Sequence, residues 1–165
     1  MALEHLWAGW RGEYVATVDT SKSECVFCGI LASGAPDDDT FILARGASVF
    51  SIMNLYPYTS GHLMVMPLRH VGELESLTDD EQAELWPAVT EAVRAVKAVY
   101  SPDGVNVGIN LGRAAGAGVP GHLHVHVVPR WSADSNFMTA VAGTRVLPES
   151  LADSAAKLRK ELTRG

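Results

Sequence analysis

The sequence predicts an α+β fold with an antiparallel sheet, one long helix and a C-terminal helix. Three observations carry this. Short apolar runs bounded by turn residues follow one another from Phe41 to Pro67, as strands do. The stretch "SLTDDEQAELWPAVTEAVRAVKAVY" places Leu85, Val89, Val93 and Val96 at helical spacing. The later run "GHLHVHVVPRW" alternates histidine with aliphatic residues, which is the period of a strand. With 165 residues the chain is read as one domain, with an N-terminal arm over 1–20 and a C-terminal helix over about 149–163.

In chain order, "LEHLWAGWRGEYVA" reads as a short helix or an arm with exposed aromatics, and "DTSKSE" as a linker into the pair "CVFC". "SGAPDDDT" is rich in turn formers and reads as a loop. "FILA" and "SVFSIM" are two strands around a turn at Arg45–Gly46; "NLYPYTSG" is a loop and "HLMVMP" a third strand. Thr78 followed by Glu81 is a capping-box signature, and Asp79 and Asp80 suit the helix dipole. A kink is expected at Pro87, and "SPDG" should end the helix. "VNVGINL" is a fourth strand, "GRAAGAGVPG" a glycine-rich loop, and the histidine run a fifth strand. The segment between "PRW" and Leu147 carries no clear period. Leu151, Ala155, Leu158 and Leu162 suit the C-terminal helix.

The net charge of −6 argues against a nucleic-acid partner but leaves room for a small anion held by local donors. No apolar run is long enough to span a bilayer, so no membrane partner is expected. The start "MALEHLWAGW" has Glu4 and no basic cluster, unlike a secretory leader, and the expected location is the cytoplasm. In that setting Cys25 and Cys28 point to metal or redox chemistry, and a zinc site would need two further ligands.

Alternation puts His122, His124 and His126 on one strand face and Leu123, Val125 and Val127 on the other. The aliphatic face reads as core, so the histidine face must look into a site. Two chemistries fit: neighbouring imidazoles chelating one ion, or a neutral imidazole attacking phosphorus. The glycine-rich loop before them could approach an anion with backbone N–H groups, which favours a phosphate ligand.

These residues resemble the His-φ-His-φ-His-φ-φ motif of the histidine triad (HIT) superfamily of nucleotide hydrolases and transferases. "NLYPYTSGHLMVMPLRHV" resembles the family's Asn…Gly-His-x-φ-φ-x-Pro segment, and "CVFCGIL" the start of its zinc-containing members. "LWAGWRGEYV" and "PRWSADSNFMT" are similar to a bacterial branch that includes diadenosine tetraphosphate phosphorylases and hydrolases. The resemblance runs from about Leu6 to Leu147. It implies a HIT-like fold with a five-stranded antiparallel sheet, a homodimer and a dinucleoside polyphosphate as the small-molecule substrate. Phosphoramidate hydrolysis and nucleotide binding without turnover are the alternatives.

The resemblance also implies roles. His124 would be the nucleophile that forms a nucleotidyl-histidine, His126 would contact the phosphate or bridging oxygen, and His62 would support them. Asn54 would hold the ribose, and Asn110 would lie near phosphate or ribose. Cys25, Cys28, His70 and His122 would hold a structural zinc. One departure stands out. Many hydrolases of the superfamily carry Gln-Ser or Gln-Thr just before the triad, whereas this chain has Ala117-Gly118-Val119-Pro120-Gly121. Phosphate contacts are then expected from backbone N–H groups, Gly116 and Gly118 among them, and from Arg113.

Overall fold

A computed structural model describes residues 25–132, 134 and 148–163. The arm over 1–20, with Trp7 and Trp10, and most of the segment after Trp131 lie outside the described residues. Helices α1 (Val26–Ala32) and α2 (Asp37–Thr40) precede strands β1 (Ile42–Arg45), β2 (Val49–Met53) and β3 (Leu63–Pro67). Helix α3 (Asp79–Tyr100) follows, then β4 (Gly104–Ile109), β5 (Val125–Arg130) and α4 (Leu151–Leu162). The strands form one antiparallel sheet in the order β1-β2-β3-β5-β4.

The predicted class holds, with two local differences. The stretch read as a loop at "SGAPDDDT" contains α2, where Asp37, Asp38 and Asp39 fill the first turn and Thr40 Oγ1 donates to the Pro36 carbonyl. The histidine strand begins only at Val125. Before it, the Leu123 amide donates to the Val71 carbonyl at 2.6 Å, so this segment is tied to the loop after β3.

Helix α3 starts with the predicted box: Glu81 N–H donates to Thr78 Oγ1, and Thr78 N–H to the Glu81 carboxylate. The helix runs without a break through Pro87 and ends with Ser101 in the left-handed region at φ 45°. Its Glu84 accepts from the amides of Ala47 and Ser48, closing the β1–β2 turn. Gly46 fits there because a Cβ would fall 1.9 Å from the Glu84 carboxylate.

Two apolar layers sandwich the sheet. On one face Val49, Leu63, Val65, Val125 and Val127 pack with Leu85, Val89 and Val96 of α3 and Leu158 of α4. On the other, Phe50, Ile52, Met64 and Met66 pack with Phe27 of α1. Met64 pairs with His126 across β3 and β5, which places His126 on the α1 side of the sheet. The long helix therefore covers the aliphatic side, and the opposite side carries the histidines.

Candidate active site

The aliphatic half of the alternation is fully committed to the core. Leu123, Val125 and Val127 are 3%, 0% and 0% exposed, which fixes the facing of their neighbours. His122 and His124 are also buried. Such imidazoles need partners, and each has one.

The His122 ring nitrogen Nε2 lies 2.8 Å from the Pro67 carbonyl, which can only accept. Nε2 therefore carries the hydrogen, and Nδ1 presents its lone pair. That Nδ1 stands 3.4 Å from Cys25 Sγ and 3.7 Å from Cys28 Sγ, while His70 Nδ1 is 3.4 Å from Cys28 Sγ. The four donor atoms lie within 4.8 Å of one another. Zinc bonds of about 2.3 Å to sulfur and 2.0–2.1 Å to nitrogen at a tetrahedral angle require sulfur–nitrogen separations of about 3.6 Å. The three spacings match that edge, so the donor set fits zinc. The Pro67 contact is the outer-shell hydrogen bond that fixes a ligating imidazole. Burial pushes the His122 pKa down, which favours the neutral, ligating ring. Gly121 lies close by: a Cβ there would be 3.3 Å from His70 Nε2.

His124 has the opposite tautomer. Its Nδ1 donates to the His122 carbonyl at 2.7 Å, which leaves the lone pair on Nε2. Burial lowers its pKa, so the ring is neutral near pH 7. Phe27, from between the two cysteines, packs its ring 5.4 Å from His122 and 5.7 Å from His124. This contact was not foreseen, although the "CVFC" spacing places Phe27 on the metal knuckle.

His126 lies 4.9 Å from His124, ring centre to ring centre. Its Nδ1 is 3.0 Å from His62 Nε2, and His62 Nδ1 accepts from the Tyr58 amide at 3.1 Å. Asn54 is drawn in as well. Its Oδ1 accepts from the Tyr56 amide, and its Nδ2 lies 3.3 and 3.4 Å from the two His62 nitrogens, against the ring. Gly108 faces His126 across the ladder. Asn110 follows directly on the last pair of that ladder, Ile109 with Val125.

The loop donors differ from expectation. The Gly116 amide closes a short 3₁₀ turn by donating to the Arg113 carbonyl, and the Ala117 amide donates to Gly112. Gly116 serves the loop through its φ of 94° and offers no free N–H to an anion. Gly118 does not share that constraint: among the described residues nothing accepts from its amide. Arg113 is exposed on the turn. Arg130 is held by Asp134 and Asn106, with its Nε 2.6 Å from the Asp134 carboxylate.

The structure thus separates a Cys₂His₂ group from a His124–His126–His62–Asn54 cluster, with His122 as the hinge between them. Comparison with known proteins gives the family. The model of the HIT domain matches residues 36–133. A Mycobacterium tuberculosis protein called AP-4-A phosphorylase is 42% identical over 98% of this chain and 86% of its own length. A Schizosaccharomyces pombe bis(5'-nucleosyl)-tetraphosphatase (asymmetrical) is 39% identical over 51% of this chain and 46% of its own. A crystal structure of a Zn-bound histidine triad family protein from Mycobacterium smegmatis superposes with a TM-score of 0.68 at 29% identity, covering 86% of this chain and 94% of that one.

Proposed function

The chain belongs to the HIT domain family, and from that premise we propose that it cleaves the phosphoanhydride chain of a dinucleoside polyphosphate such as diadenosine tetraphosphate. The observation that carries this is the His124 tautomer: Nδ1–H is fixed on the His122 carbonyl, and Nε2 is a neutral nucleophile. In the first step the Nε2 lone pair attacks the α-phosphorus. A P–N bond forms, the P–O bond to the rest of the phosphate chain breaks, and the leaving oxygen, which departs as a phosphate anion, accepts a hydrogen bond from His126. In the second step water or inorganic phosphate attacks phosphorus, the P–N bond breaks with its electron pair returning to Nε2, neutral His124 is restored, and the proton of the attacking oxygen is released to solvent. Asn54, Asn110 and the Gly118 amide are the groups proposed to meet ribose and phosphate. The names of the two relatives support this substrate class.

Zinc at Cys25, Cys28, His70 and His122 would supply a closed structural link with no open position for substrate. We also propose that the chain works as a cytoplasmic homodimer. No helix among the described residues is long and apolar enough to cross a membrane.

The deciding experiment is product analysis with diadenosine tetraphosphate, with and without inorganic phosphate. Phosphorolysis gives ADP and ATP only when phosphate is present; hydrolysis gives AMP and ATP without it. No cleavage under either condition would overturn the proposal.

A further inference from the structure

We propose that Tyr58 is a positioning residue for the His62–His126 pair, holding both rings in the tautomer that places the outer hydrogen of His126 on Nε2. The inference rests on the catalytic reading above only for its kinetic consequence; the tautomer claim stands on geometry.

The chain of donors begins in the backbone. The Tyr58 amide points at His62 Nδ1 from 3.1 Å, and an amide can only donate. His62 Nδ1 therefore carries a lone pair, and in the neutral ring the hydrogen sits on Nε2. That Nε2 is 3.0 Å from His126 Nδ1, so it donates there. His126 Nδ1 is then an acceptor, and its own hydrogen is on Nε2. One backbone N–H thus sets two successive tautomers, and the last is the one a leaving oxygen needs.

The Tyr58 side chain keeps that relay in place. Its ring lies 4.6 Å from the His62 ring. It also stacks on His126 at 6.1 Å with an interplanar angle of 24°. It therefore lies against both imidazoles on one side and limits their rotation. The loop is fixed on either side of it. Thr59 Oγ1 donates to the Pro129 carbonyl of β5 at 2.8 Å, and the Tyr56 amide is turned onto Asn54 Oδ1. Gly61, at φ 79°, presses against Tyr100, where a Cβ would lie 2.5 Å from the ring. Between these anchors, the contact of the Tyr58 ring with both imidazoles ties the residue 58 amide to the rings it serves.

Two measurements test this. The first is long-range ¹H–¹⁵N NMR of the histidines in zinc-replete, ligand-free protein. His62 and His126 are both expected as Nε2–H tautomers in wild type and Tyr58→Phe, and as mixed tautomers in Tyr58→Ala. A wild-type His126 in the Nδ1–H form, or an unchanged pattern in Tyr58→Ala, overturns the proposal even if the protein is inactive. The second is turnover of AMP aryl esters from p-nitrophenyl to phenyl, beside diadenosine tetraphosphate. A hydrogen bond to the leaving oxygen strengthens as negative charge builds there, so it matters most for the poorest leaving group, and removing one such donor typically costs ~10²–10³-fold. Tyr58→Ala should lose at least about tenfold more kcat on the phenyl ester than on the p-nitrophenyl ester, with KM unchanged and Tyr58→Phe restored. An equal loss across the series, or a rise in KM alone, would make Tyr58 a packing or substrate-contact residue and overturn the inference. A wild-type enzyme inactive on every substrate would instead count against the catalytic reading.

Discussion

His124 differs from its two neighbours through a single hydrogen bond. His122 directs its Nδ1 at the two thiols, and His126 directs its Nδ1 at His62; His124 alone turns Nδ1 onto a backbone carbonyl. A carbonyl cannot donate, so the lone pair must be on Nε2. Burial keeps that ring neutral, and the Phe27 contact limits its rotation. The His124→Ala variant is therefore expected to fold and keep the Cys₂His₂ group. It should form no phosphorus adduct and lose several powers of ten in turnover, because neither neighbour can offer an equivalent nitrogen. Mass spectrometry of quenched enzyme, beside turnover, reads both. An adduct on His126, or near-normal turnover by His124→Ala, would refute the assignment.

At the scale of elements, α1 hangs on the sheet by Phe27 and by the two cysteines that meet His70 and His122. A seven-residue helix has little stability of its own. Zinc is accordingly expected at one ion per chain in purified protein, and its loss should be read first in stability. In a chain of this size each ~1 kcal/mol lost lowers the melting midpoint by roughly 2–4 °C. Cys25→Ala should lower it by at least that much while leaving the chemistry less affected. Zinc-free purified protein, or a Cys25–Cys28 disulfide, would rule the site out. The elements show what the sequence could disclose. Period-two alternation fixed the facing of His122 to Val127 because Leu123, Val125 and Val127 each had a core to enter, and the Thr78–Glu81 box marked the start of α3 to the residue. The start of β5 was not legible, since it depends on the Leu123 amide finding Val71, a partner 52 positions away in the chain. The Gly116 amide was misread for a related reason: composition marks a loop as open to an anion but does not say which amides its own turns consume. The Tyr58–His62–His126 relay likewise needs residues from two distant segments, and no local period announces it.

Across the whole molecule, the two edges of the sheet are treated differently. At the β1 edge, Arg159 of α4 donates to the Ile42 carbonyl at 2.8 and 3.1 Å, and its guanidinium also meets Asp37 and Asp38 of α2. At the other edge no described strand pairs with the outer side of β4, and Val107 and Leu111 are 44% and 41% exposed. An uncovered strand edge with apolar side chains invites pairing with another strand. A twofold axis at β4 would let one copy meet the same edge of a second, as an isologous interface does. The proposed homodimer is therefore expected to form through β4. The wild type should sediment as a dimer at micromolar concentration, and Val107→Lys, which puts a charge on that edge, should shift it toward monomer with its far-ultraviolet spectrum unchanged. A wild-type protein that stays monomeric at tens of micromolar, or a Val107→Lys variant as dimeric as wild type, would exclude this edge as the interface. The sheet places the active-site face beside this edge, since Gly108 of β4 pairs with His126 of β5. If the dimer forms as expected, the monomeric variant should therefore also lose turnover, which the same preparations can measure.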